Sequence, residues 1–577
     1  MTGELSSLLG CKELLMWRMF MAILTSICAQ FLIMSSVILI INFRIMHPLS
    51  WIANTWDAVT CIRTWGYFLI LATVIFLQGV ICSKFYLHAP VYRKSRFTIL
   101  RNIFKPHNLP AGALHVLAGG VLTWLHLSLR DGHYNSLTIK CNAEDTCLIE
   151  ENFFLMLSGL WIGLYSFIKS HFSNIYIQFP IIPRSKFSQI KSGIWSLLPQ
   201  AMLNAVSPIL CFVFFYYFNG GYYRENILLI FSIKMKDAPL NTVYGLLNIS
   251  LIFYAWLFAS VFILTMNTMH LSFQAYLTQR VDFDIEQQNM YANQISEMTL
   301  ADALAIDRIP IVQHLAYFDL VTLAQKEKSK RSILFTLSSP GCRPCNWNGI
   351  AIKCIGLLTN FTIELNRACA ISQKPTSSPA TLCTPGKMSD NFFQYRMRNL
   401  TTAKLLGSTM DSSVPPRQTS SEDQMVGSFF KSKRDQFVTY LFSKQIIKYL
   451  FEESLEEKVR YIFTNAQPVI WAAESISSLI VISLTEDQYG VIQQDLPTII
   501  STLLTLKEAL DKLQKANIFV KRTQSDDKEM RQMVTCLRSA TKRSIYRITT
   551  TFRDYMKDLL LEPDTMSQLQ SFMSYRE

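Results

Sequence analysis

The sequence predicts an all-α membrane protein: a six-helix transmembrane domain followed by a cytosolic, mainly α-helical C-terminal domain. Three observations carry this. Six apolar runs lie between Met19 and Asn267, and none contains an Asp, Glu, Lys or Arg. A bilayer core of about 30 Å takes roughly 20 apolar residues as a helix, which satisfies its own backbone in lipid. The short connections alternate between few and many basic residues, as a multi-pass chain does. The last stretch, from about residue 457, then repeats apolar positions at helical spacing.

Composition divides the 577-residue chain in two. Half of all residues are hydrophobic, and the excess sits in 1–268, whereas 269–577 is polar and long enough for one or two soluble domains. The net charge of +13 suits an anionic membrane surface or nucleic acid. Much of that charge flanks the apolar runs and no nucleic-acid-binding motif is present, so no direct nucleic-acid partner is expected. The 13 cysteines are scattered, unlike those of a secreted disulfide scaffold.

Residues 1–18 form a cytosolic N-terminus. The first run, 19–43, begins after Arg18 and outlasts the roughly 7–15 apolar residues of a cleaved signal, so it reads as a retained signal-anchor. The other spans are 64–83, 108–129, 152–168, 197–218 and 243–267. The fourth is short, and the fifth contains Pro199 and Pro208, read as a kink that neighbouring helices tolerate. Loops 44–63, 130–151 and 219–242 hold two, two and three Lys or Arg, against six in 84–107 and four in 169–196. The richer loops face the cytosol, which places both termini and the whole tail there.

Loop 130–151 is then lumenal, where disulfides persist. It holds Cys141 and Cys147, and both a small disulfide loop and two free thiols fit. Of the Asn-x-Ser/Thr sites, Asn248 lies in a span and Asn360 and Asn399 on the cytosolic tail, so no N-glycan is expected.

Residues 269–370 form a helical cytosolic segment interrupted by a turn-rich piece, Ser338 to Trp347. Residues 371–426 are rich in Ser, Thr and Pro and read as a flexible linker. A helical C-terminal domain spans 427–577. It opens on a basic, aromatic stretch in which Phe430, Lys433, Arg434, Phe437, Leu441 and Lys444 stand out. This is either a membrane-surface helix or a core helix of the tail. The apolar run Ala466–Leu484 contains Glu474 and four serines, so it is expected as a buried domain helix and not as a seventh span. Thr485 to Gln488 fits a capping box for the next helix, which runs through Leu496, Ile499, Ile500, Leu503, Leu506 and Leu510. A final helical region covers about 528–561 and ends before Pro563.

Little catalytic chemistry is visible. Cys342-x-x-Cys345, with Cys354 and Cys369 downstream, lacks the second close pair of a zinc ribbon, so no metal or cofactor is expected. Gly-rich phosphate loops and hydrolase motifs are missing. His115 and His126 are three turns apart in the third span and share a face. Intramembrane ionisable groups are functional candidates, but without an acid beside them packing or an intramembrane polar contact is the expectation.

The segment Ser483 to Lys512, followed by Ile545 to Phe552, closely resembles the C-terminal region of the metazoan transmembrane nucleoporins of the nuclear division cycle (Ndc) family. The resemblance continues through Leu315-Ala316 with Asp319-Leu320, and through Phe335-x-Leu-Ser-x-Pro-Gly-x-x-Pro-x-Asn-Trp347. In the membrane half it includes His47-Pro-x-x-Trp51, Phe179-Pro-Ile-Ile182 and Thr242 to Ser250. The linker 371–426 is short for the family, and Cys342 and Cys345 are not part of its motif. The resemblance implies a non-enzymatic scaffold of the nuclear envelope that anchors the nuclear pore complex in the pore membrane and supports pore assembly. The implied partners are the pore-membrane bilayer, the WD-repeat nucleoporin Aladin, the RRM-containing, membrane-binding linker nucleoporins, and other transmembrane nucleoporins. The alternative from composition is a six-span transporter or membrane enzyme of the endoplasmic reticulum.

Overall fold

A computed structural model describes residues 2–43, 47–87, 92, 95–129, 137–140, 146–173, 177, 179, 185–231, 234–235, 240, 243–246, 248–285, 298–306, 309–336, 344–372, 449, 451, 455–515, 525–556, 558–559 and 561–574. The chain divides into two compact units, residues 1–369 with 454–577, and residues 370–453. The helices named below lie in the first, apart from the last residues of α13.

The first half of the chain is a bundle of long apolar helices: α1 (Thr2–Ile41), α3 (Ile62–Leu87), α5 (Leu109–Ser128), α6 (Glu150–Ser173), α7 (Lys186–Phe231) and α9 (Ile249–Leu277). Each is long and apolar enough to cross a membrane. Short helices α2 (Pro48–Thr60), α4 (Arg96–Ile103) and α8 (Val243–Leu246) connect them. In α2, exposed Leu49, Ile52 and Trp56 share one face. The long helices extend past the predicted spans. The first helix takes in nearly all of the N-terminal 18 residues, and α7 runs for 46 residues through both prolines. The sixth run is broken: α8 covers its start, and Asn248 caps α9 by accepting the Ser250 amide.

Helix α9 is the hub, packing against α1, α5, α6 and α7. Its buried face is built from Leu251, Ala255, Phe258, Phe262 and Thr265. Helices α5 and α6 make the closest approach. A Cβ at Gly119 would overlap the Gly159 carbonyl, and one at Gly163 would overlap the His115 carbonyl and lie 2.8 Å from the Val116 Cα. Small residues let apolar helices touch backbone to backbone. Gly163→Leu should therefore drive the two helices apart at a cost of about 3 kcal/mol. The readout is the thermal aggregation point of the detergent-solubilised protein, with Gly66→Ala, which has open space around it, as the unchanged control.

One feature has no counterpart in the all-α reading. Strand β1 (Thr138–Lys140) pairs antiparallel with β2 (Thr146–Leu148), Ile139 facing Cys147, and β3 (Lys234–Met235) adds parallel to β2. Strands of two or three residues are too short to show a period of two, so the pattern cannot announce them.

The tail's main elements are helices: α10 (Leu300–Ala305), α11 (Pro310–Lys326), α12 (Lys328–Leu334), α13 (Cys345–Ser372), α14 (Leu455–Thr464), α15 (Ala466–Glu486), α16 (Leu496–Lys515), α17 (Ser525–Thr551) and α18 (Pro563–Met573). Helix α15 is a seventh segment with the length and apolarity of a span. It packs against α11 and α17, and Ala472, Ala473, Ser475, Ile476, Ser477, Leu479 and Ile480 are all buried. On α16, Ile499, Leu503, Leu506 and Ala509 are fully buried.

Two expected boundaries differ. Thr485 is not an N-cap. It sits in the last turn of α15 and donates to the Ile482 carbonyl, while Asp487 receives the Tyr489 and Ile492 amides and Gly490 (φ 65°) turns the chain. The Thr-x-x-Gln pattern is there, but the preceding helix has not yet ended. The last helix stops at Thr551, not near 561, and Pro563 starts α18 at its first turn, where a missing amide costs nothing.

Candidate functional site

The bundle and the tail meet in one continuous hydrophobic core. It runs from Leu15, Ala22 and Ile23 of α1, through Met269, Phe273 and Leu277 of α9, into helices α10–α18. Polar contacts at the junction follow from how the helices end. Arg18 of α1 donates to the Tyr276 carbonyl in the last turn of α9 at 3.4 Å and, just past the helix end, to the Gln279 carbonyl at 2.6 Å and the Arg280 carbonyl at 3.1 Å. A cation at a helix C-terminus completes carbonyls that have no partner inside the helix. The next residue, Arg280, donates to Asp319 Oδ1 at 2.9 Å and to Glu327, and pairs with Asp282 at 2.7 Å.

Asp319 is fully buried on α11 and also accepts the Phe283 amide at 3.0 Å. Burial raises its pKa, against the pull of that amide and of Arg280, whereas the Arg280 hydrogen bond holds Glu327 low. First bundle helix, last bundle helix and first long tail helix are thus tied through three charged side chains.

Two ring contacts of Phe179 add to the junction, and a Trp–Asp hydrogen bond and an Arg–Glu pair continue the packing within the tail. Phe179, in the connection between α6 and α7, stacks on His314 with centroids 5.0 Å apart and meets Trp471 edge-on at 5.7 Å. Trp347 is fully buried and donates its Nε1–H to Asp495 Oδ2 at 2.9 Å. Arg331 grips Glu486 with two nitrogens, at 3.1 and 3.3 Å. Phe179 and Trp347, from separate motif segments, enter one hydrophobic core, and Asp319 and Asp495 supply polar partners beside it.

His314 gives the junction a pH dependence. Burial pushes its pKa down to about 4, although its Nδ1 bonds the Pro310 carbonyl at 2.6 Å. The unfolded chain protonates this histidine below about pH 6.5, and the fold resists until about 4. Its stability contribution is therefore complete above about 6.5 and is lost on acidification through that window, about 3 kcal/mol in all. Melting curves near pH 7 and near pH 5 should show that His314→Phe loses less stability on acidification than the native protein.

At the opposite end of the bundle, Glu150 and Arg224 form an ion pair at 2.9 Å, with side chains 3% and 8% exposed. Tyr216 donates to the same carboxylate at 3.1 Å, and the Leu240 amide to its other oxygen at 2.8 Å. Burying two charges is tolerable only when their hydrogen bonds are met. Here Glu150 starts α6, Arg224 is deep in the extension of α7, and Leu240 precedes α8. Nearby, Cys147 on β2 is buried and disulfide-bonded.

The sequence-selected residues fall variously. His115 and His126 face different neighbours. His115 bonds the Ala111 carbonyl at 2.8 Å and contacts Gln78 at 3.0 Å. His126 is fully buried, bonds the Leu122 carbonyl at 2.6 Å and lies against Phe258. Among the described residues no carboxylate comes within ion-pair distance of either. Cys141, Cys342, Phe430, Lys433, Arg434, Phe437, Leu441 and Lys444 lie outside the described residues, as does the linker 371–426 beyond Ser372. Cys354 and Cys369 are buried on α13, about four turns apart, and burial raises both thiol pKa values. Among the described residues no group of three His, Cys, Asp or Glu could hold a metal.

Comparison with known proteins matches residues 13–570 to the family described as nucleoporin protein Ndc1-Nup. Nucleoporin NDC1 of Homo sapiens is 27% identical, with 97% of each chain covered, and that of Mus musculus 26% with the same coverage. Nucleoporin Ndc1 of Drosophila melanogaster is 27% identical over 98% of this chain and 99% of its own.

Proposed function

The chain belongs to the Ndc1 family of nucleoporins, non-enzymatic structural components of the nuclear pore, and from that premise we propose that it tethers the nuclear pore complex to the pore membrane and recruits soluble nucleoporins through its tail. The observation that supports this is the shared core at the junction. A tail sealed to the helix ends by Arg18, Arg280, Asp319 and Phe179 transmits load to the membrane, which a freely tethered domain does not. In this reading α1, α3, α5, α6, α7 and α9 cross the membrane, and α15 stays within the tail domain. Both termini and the tail are cytosolic. The small sheet is lumenal, where a Cys141–Cys147 disulfide closes the turn between β1 and β2. Aladin, the membrane-binding linker nucleoporins and other transmembrane nucleoporins are the proposed partners.

A tagged copy should give a punctate nuclear rim, and residues 300–577 should be needed to co-purify scaffold nucleoporins. Diffuse reticular staining of a functional copy would reject the proposal. Phe179→Asp places a charge between His314 and Trp471. It should leave the protein in the membrane while weakening recruitment.

A further inference from the structure

The tail carries a groove of about 540 Å³ between α11, α15 and α17, lined by Gln325, Glu474, Ser478, Ile482, Arg543 and Arg547. Two guanidinium groups one turn apart on α17 face a single carboxylate. Arg543 pairs with Glu474, while Arg547 reaches only as far as the Ser478 hydroxyl, at 3.4 Å. Among the described residues no carboxylate lies within ion-pair distance of Arg547. Arg538, nearer the start of the same helix, is paired with Asp511 of α16 at 2.7 Å, so among Arg538, Arg543 and Arg547 the last is the one with no described carboxylate in reach. Val481 and Ile482 give the groove a partly exposed apolar wall.

We propose that this groove docks an acidic peptide segment of a soluble partner, its carboxylates taken by Arg547 and Arg543 and an apolar side chain set against Val481 and Ile482. The proposal rests on the reading that the tail recruits soluble proteins, and it names the chemistry of one contact. Planar guanidinium groups pair carboxylates in bidentate fashion, and an unbalanced basic groove selects against basic partners. A membrane surface fits less well. The exposed positions of α17 include Arg531, Gln532, Thr535, Ser539, Arg543, Tyr546, Arg547 and Thr550, one aromatic among polar groups and none of the exposed Leu, Phe or Trp that a membrane-surface helix inserts.

The test is a displayed random-peptide library selected on the full chain in nanodiscs, compared with the variant R543Q/R547Q. Both positions are exposed and neither change sets a like charge against Glu474, so the variant should melt like the native protein. The native chain should enrich acidic sequences, and the best of these, as a labelled peptide, should bind the variant at least about tenfold more weakly, or 1.4 kcal/mol. Absence of an acidic consensus, or equal binding to the variant, overturns the proposal. So does loss of peptide binding when a soluble anionic headgroup, glycerophosphoserine, is added over neutral nanodiscs at matched ionic strength, since a lipid would then be the occupant. If scaffold nucleoporins still co-purify while the library yields nothing acidic, the groove assignment fails and the recruitment reading stands.

Discussion

Arg224→Leu will destabilise the end of the bundle away from the tail by about 3–5 kcal/mol, the loss expected when one partner of a buried ion pair is removed. The Glu150 carboxylate, 3% exposed, would keep only the Tyr216 hydroxyl and the Leu240 amide. Glu150→Leu should be as damaging, because it removes the carboxylate that Arg224, Tyr216 and the Leu240 amide share. The double variant Glu150→Leu/Arg224→Leu should be less harmed than the sum of the two, since no uncompensated charge remains. Thermal aggregation of the solubilised protein across the four-member cycle measures this coupling. Strictly additive losses would mean that the two charges do not depend on each other.

Trp347→Ala will have a comparable effect on the tail. The side chain is fully buried, and its indole nitrogen holds Asp495 across a sequence separation of 148 residues. Truncation removes the packing of a large aromatic, about 3–5 kcal/mol, and leaves a carboxylate without its donor. Trp347→Phe keeps most of the volume and loses only the hydrogen bond, so it should cost about 1–3 kcal/mol. The expected readouts are a lower melting point and, in cells, less protein at the nuclear rim, because losses of this size change steady-state abundance. If Trp347→Ala melted like the native protein, this residue would not anchor the core.

The apolar helices were legible because charge-free runs of bilayer length are unambiguous, and loop charge gave an orientation to test. The extension of α7 was hidden. Residues 219–231 contain two glycines, Arg224 and Glu225, which read as a loop with Arg224 as one of its cations. Its burial depends on Glu150, 74 residues away, and no local pattern encodes that pairing. The same holds for the junction. Phe179, Asp319, Trp347 and Asp495 belong to the motifs, but their partners, distant in sequence, come from tertiary packing: His314 and Trp471 for Phe179, Arg280 and Phe283 for Asp319, and each other for Trp347 and Asp495. The capping box shows the converse. There a correct local pattern was overruled by the register of the helix before it.

Helix α7 is 46 residues long, about 69 Å at 1.5 Å per residue. A straight rod of that length fits entirely within a hydrocarbon layer of about 30 Å only at a tilt of about 64°, outside the roughly 0–40° range of membrane helices. Yet it exposes large apolar side chains from Phe187 and Trp195 at one end to Leu229 and Phe231 at the other. Those surfaces cannot all be covered by one flat leaflet pair at ordinary inclination. In the six-span reading, α7 can cover that whole surface only by bending at Pro199 or Pro208 or where the membrane thickens or turns away from the plane.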